Sequence, residues 1–281
     1  MPTVLITGTS SGFGLVTAVE LAKRGWDVIA TMRDVAKRKP LDLELAAAGV
    51  SSKVRVEQLD VTDAASIDRA VASLDLPNHP LDAVIHNAGV AVGGAFEDLD
   101  DEHVRRVMEV NFFGVLALTK RLLPSFRAQR RGRIVIMSSE AAFAGLPGNS
   151  PYGAAKWAIE GWAESLAYEV EHFNIDIILI EPGAYRTNIW ESSPRVLPKT
   201  SAYYPLLRHL EVTVDAHVAK TARDPIEVAK AVANALESPR PRFRNPVGPT
   251  AKIMHFTRGK LPSTTVRKFF SRFFSLNKVR W

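Results

Sequence analysis

The chain has 281 residues, 46% hydrophobic and 23% charged, ordinary proportions that allow a sizeable core and exclude wholesale disorder. Cysteine is absent, which excludes disulfides, thiolate metal and iron–sulfur sites, and a cysteine nucleophile. The net charge of +6 is unevenly spread: residues 239–281 hold eleven Lys or Arg and no Asp or Glu, leaving a body with 25 basic and 30 acidic side chains. A mildly acidic body argues against nucleic-acid binding, and a basic tail suits an anionic partner. The opening Met1-Pro2-Thr3 lacks the basic region of a secretory signal, and no apolar run nears the ~18–20 residues of a spanning helix. A soluble, cytoplasmic protein is the expectation. The seven histidines form no ligand pattern, so no metal is expected.

In chain order, short apolar runs alternate with helical stretches. Val4–Thr7, Val28–Thr31, Val54–Gln58, Ala83–Ile85, Ile134–Met137 and Ile175–Ile180 predict strands, mostly apolar throughout, as in a sheet buried on both faces. Helices are predicted over Gly14–Arg24, Ala64–Ser73, Asp101–Gln129, Pro151–Phe173 and Pro225–Leu236. Asp63 and Asp224-Pro225 supply start signals for two of them. The alternation predicts an α/β fold, a doubly wound Rossmann-type parallel sheet in a single domain over residues 1–250. Residues 251–281 read as a basic C-terminal extension. The irregular stretch Gly183–Tyr204 is long for a connection and suits a lid.

The first strand runs into Gly8-Thr9-Ser10-Ser11-Gly12-Phe13-Gly14 and then a helix. Glycines there permit a tight turn and bring backbone amides to a pyrophosphate at the helix N-terminus. No lysine follows, so a P-loop is excluded. At the end of the second strand, an acid would hold ribose hydroxyls and repel a 2′-phosphate. Met32 stands there, followed by Arg33, which favours NADP(H). The competing reading makes Arg33 a solvated loop charge, partly neutralised by Asp34.

Tyr152 and Lys156 are four residues apart in a predicted helix and so share one face. A lysine at ~4 Å could lower the phenol's pKa by about 3 units and make it a usable acid–base. Ser138 and Ser139 end the strand Ile134–Met137, Asn87-Ala88-Gly89 follows the fourth strand, Asn111 lies in the long helix, and Pro182-Gly183 follows the sixth strand. Ligands of open α/β sheets bind at these carboxyl ends.

Together these motifs resemble the short-chain dehydrogenase/reductase family, over about residues 1–250. Thr7–Gly14 is similar to its glycine turn. His86-Asn87-Ala88-Gly89 is similar to its Asn-Asn-Ala-Gly, with His86 in place of the first asparagine. The resemblance implies a catalytic tetrad of Asn111, Ser139, Tyr152 and Lys156. Tyr152 would transfer the proton, Lys156 would lower its pKa and bond the nicotinamide ribose, Ser139 would hold the substrate oxygen, and Asn111 would hold a water. It also implies adenine contacts from Asp60 with Val61, a nicotinamide contact from Thr187, and an NADP-preferring cofactor site.

Phe143, Tyr185 and Trp190 are the substrate-contact candidates, with Ser139 and Tyr152. Their apolar surroundings suit a lipophilic primary or secondary alcohol and its aldehyde or ketone. Ala30–Asp34 and Arg242–Pro249 resemble the steroid- and retinol-oxidising branch. The alternatives are a nucleotide-sugar epimerase or dehydratase, and a non-catalytic cofactor-binding scaffold. In the tail, Val266, Phe269, Phe270, Phe273, Phe274 and Leu276 share one helical arc, and Arg267, Lys268, Arg272 and Lys278 lie opposite. This amphipathic pattern suits peripheral membrane contact or packing on the body or a partner subunit, and a homo-oligomer is expected.

Overall fold

Seven strands lie in one sheet in the order β3-β2-β1-β4-β6-β7-β9, every neighbouring pair parallel. The computed structural model describes residues 1–187, 189, 193–257 and 259–279. The first half runs β1 (Thr3–Thr7), α1 (Gly12–Lys23), β2 (Asp27–Met32), α2 (Lys39–Ala47), β3 (Val54–Gln58) and α3 (Ala64–Ser73). The second half begins with β4 (Ala83–His86) and the two-residue β5 (Gly93–Gly94), then α4 (Asp101–Met108) and α5 (Gly114–Gln129). Next come β6 (Gly132–Met137), α6 (Ser150–Val170), β7 (Ile175–Pro182), β8 (Arg195–Val196), α7 (Tyr204–Thr221) and α8 (Ile226–Glu237). The chain closes with β9 (Arg244–Val247), α9 (Pro249–Thr257) and α10 (Ser263–Phe273). Strand order reverses between β1 and β4, which opens a crevice at their carboxyl ends.

Alternation along each strand feeds two cores. Val4 and Ile6 of β1 pack with Leu21 of α1, Leu41 of α2 and Val232 of α8 on one face. Leu5 points the other way, to Ile67 of α3, Leu122 and Phe126 of α5 and Ile159 of α6. The Asp63 and Asp224 signals act as expected, each carboxylate accepting the N–H two residues on at 2.9 Å.

Periodicity missed β9, α2, α7, α9, the two-residue β5 and β8, and one break. β9 has no apolar run and contains Pro246, which an edge strand tolerates because one side needs no donor. α2 and α7 carry mixed polar faces with little periodic contrast. The single helix expected over Asp101–Gln129 is interrupted by a π turn, Glu109–Phe113. The lid stretch is tied down in part, since β8 pairs with β5 and Arg195 pairs with Asp215 of α7 at 2.8 Å.

The boundary drawn at residue 250 falls inside α9, whose Ala251 is fully buried. The tail helix ends sooner than its pattern suggested: Ser275 is left-handed, at φ +51°. Phe274 is buried, its carbonyl accepting from His209 Nε2 at 2.8 Å, and the Phe273 ring meets His217 edge-on at 5.0 Å. One side of the aromatic arc therefore packs on α7, while Phe269 stays 61% exposed. Among the described residues no helix is long and apolar enough to cross a membrane.

Candidate active site

A cleft of about 350 Å³ opens where the carboxyl ends of β1, β2, β4, β6 and β7 meet. Of the residues singled out from sequence, Gly8, Ser10, Ser11, Gly12, Phe13, Arg33, Asp60, Val61, Asn87, Ala88 and Gly89 line it. So do Asn111, Ser139, Tyr152, Lys156, Pro182, Gly183, Tyr185 and Thr187. Gly14 lies behind the turn, where a Cβ would run into the Gly8 carbonyl oxygen and Asn87 Nδ2. Trp190 lies outside the described residues.

The glycine turn is built from β1 and held by β4. Gly8 has φ +72°, which favours glycine, and a Cβ there would lie 2.8 Å from Ala88 Cα. Asn87 Nδ2 donates to the carbonyls of Thr7 and Gly8, both at 2.9 Å. The Thr7 hydroxyl accepts from the N–H groups of Asn87 and Ala88, also at 2.9 Å. No side chain caps α1 at Ser11 and no acid sits in its first turn. Its leading N–H groups are thus available to an anion. That donor set fits a dinucleotide's pyrophosphate.

Met32 and Arg33 follow at the end of β2. The Asp34 carboxylate is engaged elsewhere, accepting from Ala36 N–H at 3.0 Å, and forms no ion pair with Arg33. Asp60 Oδ1 accepts from the N–H and hydroxyl of Thr62, at 2.9 and 2.7 Å, which sets the carboxylate at the cleft's edge.

Helix α6 carries Tyr152 and Lys156 on one face, as their spacing requires. Ser139 stands close enough to the Tyr152 phenol to favour its ionised form. Lys156 Nζ donates to the Met137 carbonyl at 2.7 Å and lies 5.5 Å from the Tyr152 ring centroid. The expected lowering of the phenol's pKa is not found. Burial pushes Tyr152 up to about 12, and nearby Glu140 adds to the rise, while burial pulls Lys156 down to about 8. Low dielectric around both groups outweighs the attraction between them.

Asn111 sits in the π turn, which aims its side chain back at the loop after β4. Its Nδ2 donates to Val90 O at 2.7 Å and Val107 O at 2.9 Å, and Oδ1 accepts Val90 N–H at 3.2 Å. Both amide hydrogens are spent on backbone, so the side chain pins this wall and only the oxygens of Asn111 are left to hold the expected water. One substrate candidate, Phe143, needs correction, and a second, Tyr185, is engaged by neighbours as well. Phe143 is buried edge-on to His255, ring centroids 5.6 Å apart, and does not line the cleft. Tyr185 borders the cleft, but its ring packs on Phe13 and its hydroxyl donates to Glu227 at 3.3 Å.

The family model for short chain dehydrogenase matches residues 2–196. The chain belongs to that family. It is an oxidoreductase acting on CH–OH groups. The short-chain dehydrogenase is 33% identical to the 3-ketodihydrosphingosine reductase of Bacteroides thetaiotaomicron, over 97% of this chain and 98% of that one. It is 35% identical to human retinol dehydrogenase 8, over 86% and 80% of the two chains. A short-chain dehydrogenase structure from Streptomyces avermitilis superposes with a TM-score of 0.80 at 30% identity, covering 99% of this dehydrogenase and 98% of that one.

Sequence reasoning missed a buried network beside the site. The Ser138 hydroxyl donates to Glu160 Oε1 at 2.7 Å, and Arg244 of β9 bonds Glu160 as well as Glu181 Oε1, the latter at 3.0 Å. Glu160 lies one turn after Lys156 and favours its charged form. No motif announces this cluster, because its members come from α6, β7 and β9 and meet only after folding. Glu140, which belongs to no motif, also lines the cleft.

Proposed function

We propose that this dehydrogenase is NADP(H)-dependent and interconverts a lipophilic alcohol with its ketone or aldehyde, using Tyr152 as the acid–base. The observation that carries the reading is the meeting of Ser139, Tyr152 and Lys156 in one cleft that begins at the glycine turn. The cofactor, when bound, supplies or accepts the hydride. The α1 amides and glycine turn would hold its pyrophosphate, and Arg33, free of Asp34, its 2′-phosphate. Asp60 and Val61 would take the adenine, and Pro182, Gly183 and Thr187 the nicotinamide.

Ser139 and Tyr152 both present hydroxyls to one carbonyl oxygen. With its pKa near 12, Tyr152 keeps its proton at neutral pH and is ready to donate it, which suits reduction. Lys156 remains mostly cationic below about 8 and stabilises the phenolate left behind. Asn111 acts as a positioning residue through the loop after β4. Ala141, Leu146 and Ile189 supply the apolar wall that a lipophilic substrate needs. The test is NADPH oxidation over a panel of long-chain and polycyclic ketones and aldehydes, with NADH alongside. Turnover of the apolar members with an NADPH preference is expected, and turnover of none of them overturns the reading.

The uncovered side of α10 supports contact with an anionic membrane surface. Phe269 and Phe273 remain exposed there, as do Ile253 and Phe256 of α9, within a tail that has no acidic residue. Apolar groups in a field of cations match a lipid interface of opposite charge. A second copy of the chain on the same face, giving a homo-oligomer, is the competing occupant.

A further inference from the structure

Helix α6 grips the end of β6 at two consecutive residues. Lys156 Nζ donates to the Met137 carbonyl, and one turn on Glu160 Oε1 accepts the Ser138 hydroxyl, both at 2.7 Å. The next residue along the chain is Ser139, which lines the cleft. Glu160 is only 1% exposed, and burying a carboxylate is costly unless it is paired. Arg244 of β9 supplies the pairing, and it also meets Glu181 at 3.0 Å and Glu164 at 3.1 Å. Glu181, on the neighbouring strand β7, already anchors Arg244 within the sheet. That leaves the buried carboxylate of α6 to be explained, and the helix face it shares is that of Lys156. Three carboxylates around one guanidinium, with His255 3.7 Å from Glu181, leave an excess of negative charge on this side of α6.

We propose that Glu160 is a positioning residue of this site: held between Ser138 and Arg244, its carboxylate keeps Lys156 charged and fixes the strand end that carries Ser139. The inference rests on the oxidoreductase reading and deepens it. Burial works against the ammonium, and Glu160 is the anion that opposes it. The other titratable or charged groups around the pair are Tyr152 on α6, Glu140 after β6, Arg106 of α4 in the same cleft, and Glu181 with Arg244 behind Glu160. Without the Glu160 charge, Lys156 gives up its proton at lower pH and no longer stabilises the phenolate that Tyr152 leaves behind.

The experiment follows the titration of Lys156 Nζ by nuclear magnetic resonance in lysine-labelled full chain, with Lys156→Met identifying the signal. Glu160→Gln keeps the shape and an oxygen for Ser138, and should lower the midpoint by about one pH unit. Glu160→Asp keeps the charge and should restore most of that loss. Glu164→Gln removes a more exposed carboxylate from the same Arg244 and should leave the midpoint in place. A residue that only held the fold would lower the melting temperature without moving the midpoint. Coupling between two sites is reciprocal, so Lys156→Met should raise the pH at which Glu160 takes up its proton, read in glutamate-labelled chain. That arm decides the matter if Glu160→Gln does not fold. A midpoint unmoved by Glu160→Gln, an equal drop in Glu164→Gln, or a Glu160 titration indifferent to Lys156→Met would each overturn the proposal. Turnover reports separately: a midpoint that moves as expected, with no NADPH oxidation on any ketone or aldehyde, would overturn the oxidoreductase reading alone.

Discussion

Tyr152 and Lys156 share a helix face, but burial moves both towards their neutral forms, the phenol up and the ammonium down. A phenol that holds its proton this firmly is an acid at neutral pH. Tyr152→Phe keeps the ring and removes the proton, so kcat/KM should fall by roughly 10²–10⁴-fold while NADPH affinity changes little. Steady-state rates with a fluorescence titration of NADPH check this, and a variant retaining most of its activity would remove Tyr152 from the chemistry. Arg33 is the second residue whose surroundings decide its use. Since Asp34 is occupied at Ala36, Arg33→Ala should weaken NADPH by about ten- to a hundredfold and leave NADH nearly unchanged. Equal losses for both cofactors, measured in the same titration, would make Arg33 structural. Motif spacing was enough to find both residues. The direction of the Tyr152 shift was not legible, because dielectric surroundings come from chain segments remote in sequence.

At the scale of elements, strong periodicity was read well and weak periodicity was not. β1, β2, β4, β6 and β7 are largely apolar because helices cover both faces, while β3 at the sheet edge carries Arg55, Glu57 and Gln58. β9 joins as an edge strand through Arg244 and Pro246, residues that carry no strand signal. The tail helix shows the same limit: its arc of six apolar residues was visible, but not that Phe274 would turn onto α7. What remains exposed supports a prediction. Full chain should co-sediment with anionic vesicles and not with neutral ones, salt should release it, and a chain ending at Pro262 should stay in the supernatant. A full chain that never sediments, with an oligomeric mass that changes on truncation, would assign the face to a second copy instead.

Across the whole molecule, stability should depend on pH through His86, which replaces the family's asparagine at the end of β4. Its ring is buried, 2.9 Å from the Thr119 hydroxyl, and burial lowers its pKa to about 3. An unfolded histidine titrates near 6.5, so from there down to about 3 the unfolded chain binds the extra proton. Stability from the neutral ring is therefore complete above 6.5 and is lost as pH falls. At pH 5 the loss is about 2 kcal/mol relative to pH 8. Urea midpoints of the wild type and His86→Asn at these two pH values check it: the variant should lose less. Parallel losses would mean that His86 is not held neutral in the fold.

The order of strands and helices, the glycine turn, and the spacings of Ser139, Tyr152 and Lys156 are local properties, written in periodicity and short motifs. They determined the α/β class and the catalytic candidates without any coordinates. Tertiary structure alone decided that Phe143 packs away from the cleft, against His255. It also decided that Asn111 spends its amide on backbone, that Arg244 meets Glu160 and Glu181, and that Glu140 is buried beside the site. Each of these depends on which remote segment lies alongside and how much water it excludes, and no spacing along one chain encodes that.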